Sequence, residues 1–200
     1  LDNARFIEAD LAALDAAALE RMLPELDVVI CYGLWTWVPD AVRAGIVRLL
    51  GARVKPGGIV AMGYNALPGF ADAVALQRLL AEAARGVRGG EGARAAAAIA
   101  AVEALRAAGA LHLPADDVLD RLLAQGRRSP AYFAHEWLTD FWRPVFHADL
   151  ARDLAAARLD YGGAALPAES LPEFNLSAAQ RDAVAAAPGG FHPETLGDLF

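Results

Sequence analysis

Cysteine is almost absent from these 200 residues: Cys31 stands alone, so no disulfide framework can form and a cytoplasmic setting is the default. No apolar run reaches the length needed to span a bilayer, and no signal-peptide pattern opens the chain. Nor does any lysine- or arginine-rich block relieve a net charge of −7, which leaves a nucleic-acid partner without an electrostatic footprint. An initiator methionine is missing too, and the start at Leu1 predicts a fragment or a processed product. What is present is a hydrophobic fraction of 56%, largely alanine, beside 22% charged residues. That composition belongs to a soluble globular protein rich in helix. The length allows one domain with a real core, or a core plus an insertion.

Periodicity predicts an α/β fold. Short apolar runs at residues 5–9, 27–32, 58–64 and 159–165 read as strands, parallel where paired, because helical stretches separate them. Helices are expected at 11–23, stopped by Pro24, and at 40–50, capped by Asp40. "KPGG" at 55–58 reads as a turn into the third strand. Residues 72–134 read as nearly all helix, broken by the glycine-rich stretch 86–92. That stretch comes after no strand and carries no Gly-Lys-Ser/Thr, so it reads as a linker and not a phosphate loop. A capped helix is expected over 177–187 in the tail. The predicted domains are 1–71, 72–148 and 149–200.

In an open parallel sheet, ligands sit outside the carboxyl ends of the strands. The residues just past each predicted strand are Glu8-Ala9-Asp10, Tyr32-Gly33-Leu34-Trp35 and Tyr64-Asn65 with the Pro/Gly loop behind them. An acid, a glycine flanked by aromatics and an asparagine suit a flat heteroaromatic ligand with a hydrogen-bonding edge.

The order "FIEADL … LDVVICYGLWTWVPD … VKPGGIVAMGYNALPG" resembles the second half of a class I S-adenosylmethionine-dependent methyltransferase core. The later "YFAHEWLTDFWRPVFHADLARDLAAARLDYGGAAL", residues 132–166, is similar to bacterial methyltransferases that carry a methyltransferase regulatory domain, a group that includes rickettsial-type protein lysine methyltransferases. The resemblance implies a Rossmann-like core, a parallel sheet flanked by helices, with its first strands missing and a helical insertion after residue 71. It implies S-adenosylmethionine as cofactor, with Asp10 on the adenine amino group and Tyr32 and Gly33 along its methionine part. Trp35, Trp37, Tyr64 and Asn65 would face the methyl acceptor, and residues 131–147, with Glu136 and Trp137, would shape acceptor choice. The family's glycine-rich loop and its ribose-binding acid would lie before residue 1. The fragment alone is therefore expected to be inactive. The acceptor itself, a protein side chain or a small molecule, is not identified.

Methyl transfer from a sulfonium is an in-line displacement that asks chiefly for alignment and dryness. A base is needed only for an acceptor that carries a proton, and Tyr32, Tyr64 and His135 are the candidates. Other readings stay open. Asp10 could cap the next helix, and Trp35 and Trp37 could be core. Cys31 reads as a small buried apolar residue. His135-Glu136 fails the zinc pattern because position 139 is Thr, and no metal is expected. Two other classes compete: a non-catalytic regulatory or interaction module, and a nucleotide-binding oxidoreductase on the same fold.

Overall fold

Asp15 accepts a hydrogen bond from the Ala18 amide at 2.7 Å and opens helix α1 (Ala16–Met22) in the computed structural model, which describes residues 3–188 and 192–200. This helix begins five residues later than the expected 11–23. Asp10 has already taken the Ala12 amide (2.9 Å), which bends residues 10–13 into a turn, a competition with the helix that short acidic side chains commonly win. The predicted stop holds: Leu23 is extended (φ −121°) ahead of Pro24.

Strand β1 (Leu26–Cys31) leads through a single 3₁₀ turn, Trp35–Trp37, into α2 (Asp40–Arg53) and then β2 (Val54–Met62). Pro39 occupies the cap position of α2 and Asp40 its first turn, where a carboxylate still complements the helix dipole. β1 and β2 pair in parallel, Val29 opposite Val60 and Cys31 opposite Met62. The expected Lys55–Gly58 turn lies inside β2. Leu26 faces Val54 while Val28 faces Ile59, so the extra residues bulge out of the ladder, and Lys55 reaches back to Asp27 at 2.8 Å.

One face of this pair is core. Val29, Cys31, Val60 and Met62 pack with Trp35, Ile46, Leu50, Leu150 and Ala157. The other face stays open and apolar, with Val28 58%, Ile30 73% and Ile59 64% exposed. The segments expected as further strands are irregular. Residues 5–9 find no ladder partner, and Phe6 stands 92% exposed. Residues 159–165 make a loop in which the Ala164 amide donates to Ser170 Oγ instead of to a strand. An extended segment without a ladder has nowhere to place its backbone groups except water or side chains. The fold shown is mixed α/β, with β1 and β2 as a parallel pair.

Two compact units divide the chain: Leu1–Tyr64 with Val145–Phe200, and Asn65–Pro144. The second holds the two-residue strand β3 (Ala66–Leu67) and helices α3 (Ala71–Ala84), α4 (Glu91–Ala107), α5 (Asp116–Arg128) and α6 (Pro130–Trp137). Leu80, Ala98, Val102, Leu123 and Phe133 form its interior. Buried Gln77 donates through Nε2 to the Trp137 and Thr139 carbonyls (3.1 and 3.0 Å), and Arg94 donates to the Leu138 carbonyl (3.2 Å). The chain end of α6 is thereby tied to α3 and α4. The glycine stretch simply connects α3 to α4, with open space around Gly86, Gly90 and Gly92.

The first unit resumes with β4 (Val145–Phe146), α7 (His147–Ala155), and three short helices, α8 (Pro172–Asn175), α9 (Ala178–Ala185) and α10 (Pro193–Gly197). α9 carries the expected cap as a full capping box between Ser177 and Gln180. Among the described residues, no helix is long and apolar enough to cross a membrane.

Candidate functional site

β1 and β2 run parallel and end together, so the residues just beyond Cys31 and Met62 share one rim. The Gly63 amide donates to the Cys31 carbonyl (2.9 Å) and extends the pairing past the strands. A side chain at Gly63 would begin 2.6 Å from Tyr32 Cδ2, so the exposed Tyr32 ring lies directly over that glycine. Gly33 takes φ +63°, with nothing within 4 Å of where a side chain would begin. That conformation costs other residues about 1–2 kcal/mol, and the open space leaves bare backbone for a ligand to approach. Tyr64 comes directly after Gly63 on the same rim. Asn65, partly buried, opens the other unit.

The tryptophans behave differently from one another. Trp35 is fully buried at the centre of the core, with the Arg43 guanidinium 5.4 Å over its ring and Arg43 Nε donating to its carbonyl at 2.9 Å. It is core in this structure, not open wall. Trp37 is partly buried. Both indole Nε1 atoms are buried without a hydrogen-bond partner among the described residues. Asp10 is exposed, in the turn that packs on α2. Cys31 packs against the core, and burial pushes its thiol upward and away from the thiolate form.

In the helical unit, Trp137 is partly buried, its ring 5.7 Å from Trp142, which meets Phe70 edge-on at 6.3 Å. Glu136 is partly buried and His135 is exposed. His135 therefore has water for a partner.

Sequence reasoning missed the cluster that gathers behind Tyr64. The Tyr64 hydroxyl lies 3.0 Å from Nδ1 of His147, the buried first residue of α7. The His147 ring is met edge-on by Tyr161 at 4.5 Å and tilted by His192 at 4.4 Å. Burial, then the charges of Asp198, Tyr161 and Glu194, pushes the Tyr64 phenol up to about 12. Burial, and then His192, lowers the His147 imidazole. Tyr161 is raised by burial and then by Glu194. Asp198 is raised by burial and by Glu194. His147 Nε2 and His192 Nδ1 are buried without a partner among the described residues. The available signal was weak: Tyr161, His147 and His192 stand beside glycines, prolines and strand ends, where chain reversal brings distant residues together. No group of three or more metal-ligating side chains occurs among the described residues.

Residues 129–200 match the family described as predicted methyltransferase regulatory domain. An uncharacterised protein of Synechocystis is 26% identical over 183 residues, 91% of this chain and 36% of that protein. An uncharacterised protein of Rickettsia prowazekii is 30% identical over 70 residues, 35% of this chain and 28% of that protein. Among solved structures, PKMT2 from Rickettsia typhi has a similar fold, with TM-score 0.65 and 18% identity over 96% of this chain and 35% of that one. The same protein in complex with AdoHcy gives TM-score 0.64 over 94% of this chain and 36% of that one. The chain thus spans about a third of the length of these relatives. Residues 129–200 thus match a methyltransferase regulatory domain, and the fold of the chain is similar to that of PKMT2.

Proposed function

We propose that the chain forms part of an S-adenosylmethionine-dependent methyltransferase that acts on a protein side chain or a small molecule. The observation that carries this reading is the rim at the carboxyl ends of the parallel pair. There an exposed tyrosine, an open glycine at φ +63° and a second tyrosine stand side by side, where ligands bind in such sheets. The similar fold found with AdoHcy, the demethylated form of S-adenosylmethionine, supports the choice of cofactor. In this reading Asp10 takes the adenine amino group, and Tyr32 and Gly33 line the methionine part. Trp35, Trp37, Tyr64, Asn65, Glu136 and Trp137 serve the acceptor. Trp35, being core, would act by fixing the loop and not by contact.

The finer layout belongs to the same proposal: a class I Rossmann-like core over 1–71, a helical insertion over 72–148, and a return over 149–200. The exposed apolar face of Val28, Ile30 and Ile59 supports it, because parallel sheets are normally covered on both faces. A cytoplasmic setting agrees with the single cysteine. The regulatory match over 129–200 favours one second reading, a regulatory module without chemistry of its own.

The test is Trp137→Ala in the full-length protein. Acceptor turnover should change while S-adenosylmethionine affinity stays within about twofold, since contacts made only to the acceptor affect that step alone. Loss of cofactor binding in a folded variant would refute the assignment of Trp137.

A further inference from the structure

The Tyr64–His147 pair has features that a structural role leaves unexplained. A buried histidine normally has both ring nitrogens satisfied. His147 makes one hydrogen bond, Nδ1 to the Tyr64 hydroxyl at 3.0 Å, while its buried Nε2 finds no partner among the described residues. The ring is held all the same, between Tyr161 at 4.5 Å and His192 at 4.4 Å. Position is thus fixed by packing, and no second hydrogen bond locks the tautomer. Tyr64 has the complementary problem. With its phenol pushed up to about 12, only about one molecule in 10⁵ carries phenolate at pH 7, so Tyr64 alone is no base.

We infer that His147 is a positioning residue for Tyr64: it receives the Tyr64 hydroxyl proton at Nδ1 while the Tyr64 oxygen takes a proton from the methyl acceptor. The inference rests on the methyl-transfer reading above. The step balances. The acceptor's N–H or O–H bond breaks as a new O–H forms on Tyr64. The original Tyr64 O–H breaks as N–H forms on His147. The phenol ends neutral, the imidazole ends as imidazolium, and the acceptor keeps the lone pair that displaces the sulfonium. Nothing is oxidised or reduced. When the product leaves, the relay runs back: the Nδ1 proton returns to the Tyr64 oxygen as that oxygen's own proton passes to solvent, which restores the Nε2–H tautomer. Groups of both signs face the couple: His192 opposes the transient positive charge, and Glu194 and Asp198, which act on Tyr64, favour it. Tyr161 packs on the ring as a neutral phenol.

Two measurements on the full-length protein test this. Ring ¹⁵N shifts of His147 in the neutral form should show Nδ1 unprotonated and accepting a hydrogen bond, and Nε2 protonated. In Tyr64→Phe the Nδ1 signature should be lost. An Nδ1 proton donated to Tyr64 would overturn the inference, because that nitrogen could then receive nothing. The second measurement is single-turnover transfer from methyl-tritiated S-adenosylmethionine to poly-L-lysine, a probe whose ammonium groups must lose a proton. His147→Asn, which offers a hydrogen-bonding atom near Nδ1 but no proton acceptor, should slow transfer about 10²-fold or more at pH 7. The deficit should shrink as rising pH deprotonates the probe, while cofactor affinity and melting temperature hold. An unchanged pH profile in folded His147→Asn would overturn the role. Failure of the unaltered protein to methylate the probe would overturn the methyl-transfer reading for ammonium acceptors, and the shifts would still judge the tautomer separately.

Discussion

Gly45→Ala separates two opposite expectations for one methyl group. In a solvent-facing helix, glycine to alanine is stabilising by about 1 kcal/mol through helix propensity. Gly45 lies in α2, but it is buried, and a side chain there would begin 2.0 Å from the Leu11 carbonyl oxygen and 2.6 Å from its carbon. The obstacle is backbone, which cannot swing aside as a side-chain tip can. Arg48 fastens the same segment from one turn along, donating through Nε to the Leu14 carbonyl at 2.7 Å. Making room means pushing residues 10–14 off the helix. Overpacking costs about 1–3 kcal/mol, and a clash with fixed backbone takes the upper part of that range, about 2–3 kcal/mol. Set against the propensity gain, the net loss is about 1–2 kcal/mol. At about 2–4 °C per kcal/mol for a protein of this size, the melting temperature should fall by about 2–8 °C. Thermal and urea melts monitored by circular dichroism give the answer directly. A melting temperature that holds or rises would mean that the 10–14 turn does not rest on α2, and the placement of Asp10 would fall with it.

Three further outcomes are expected of the same structure. Phe133→Ala, at a fully buried ring in the helical unit, should cost about 3–5 kcal/mol in urea unfolding, and a loss under 1 kcal/mol would deny that the ring is core. Asp27→Asn breaks an exposed pair with Lys55 (2.8 Å) and should change stability by less than about 1 kcal/mol, which a melt in low and high salt would check. His147 has a lowered folded value, so between that value and its unfolded value near 6.5 the unfolded chain binds the extra proton. Its contribution is therefore complete above about pH 6.5 and is lost as pH falls through the folded value. His147→Asn should remove that part of the slope, and an unchanged slope between pH 7 and 5 would contradict the burial.

Local grammar made part of this architecture readable. Helices at Ala71–Ala84, Glu91–Ala107 and Asp116–Arg128 lie close to where propensity and punctuation put them, and Ser177 with Gln180 announces its own cap. The parallel pairing of β1 with β2 comes from a helix standing between two apolar runs. Strands at 5–9 and 159–165 did not form, because an apolar run becomes a strand only with a ladder beside it. The "KPGG" segment turned inside a strand because parallel neighbours can absorb extra residues as a bulge. Of the candidate site, Tyr32, Gly33 and Tyr64 were legible because they stand just past the carboxyl ends of their strands. The Tyr64–His147 bond was not legible, since it joins residues 83 apart and nothing local to either one signals the other.

Cofactor recognition is the claim on which the rest depends, and its decisive test is calorimetric titration of S-adenosylmethionine into the full-length protein and its Asp10→Ala variant. Binding should be saturable, and weakened in Asp10→Ala by about 1–3 kcal/mol, or roughly 5- to 150-fold, the scale for losing a hydrogen-bonding partner. Equal affinity in the two proteins would reduce Asp10 to a turn former, and absence of binding by the unaltered protein would contradict the methyltransferase reading itself.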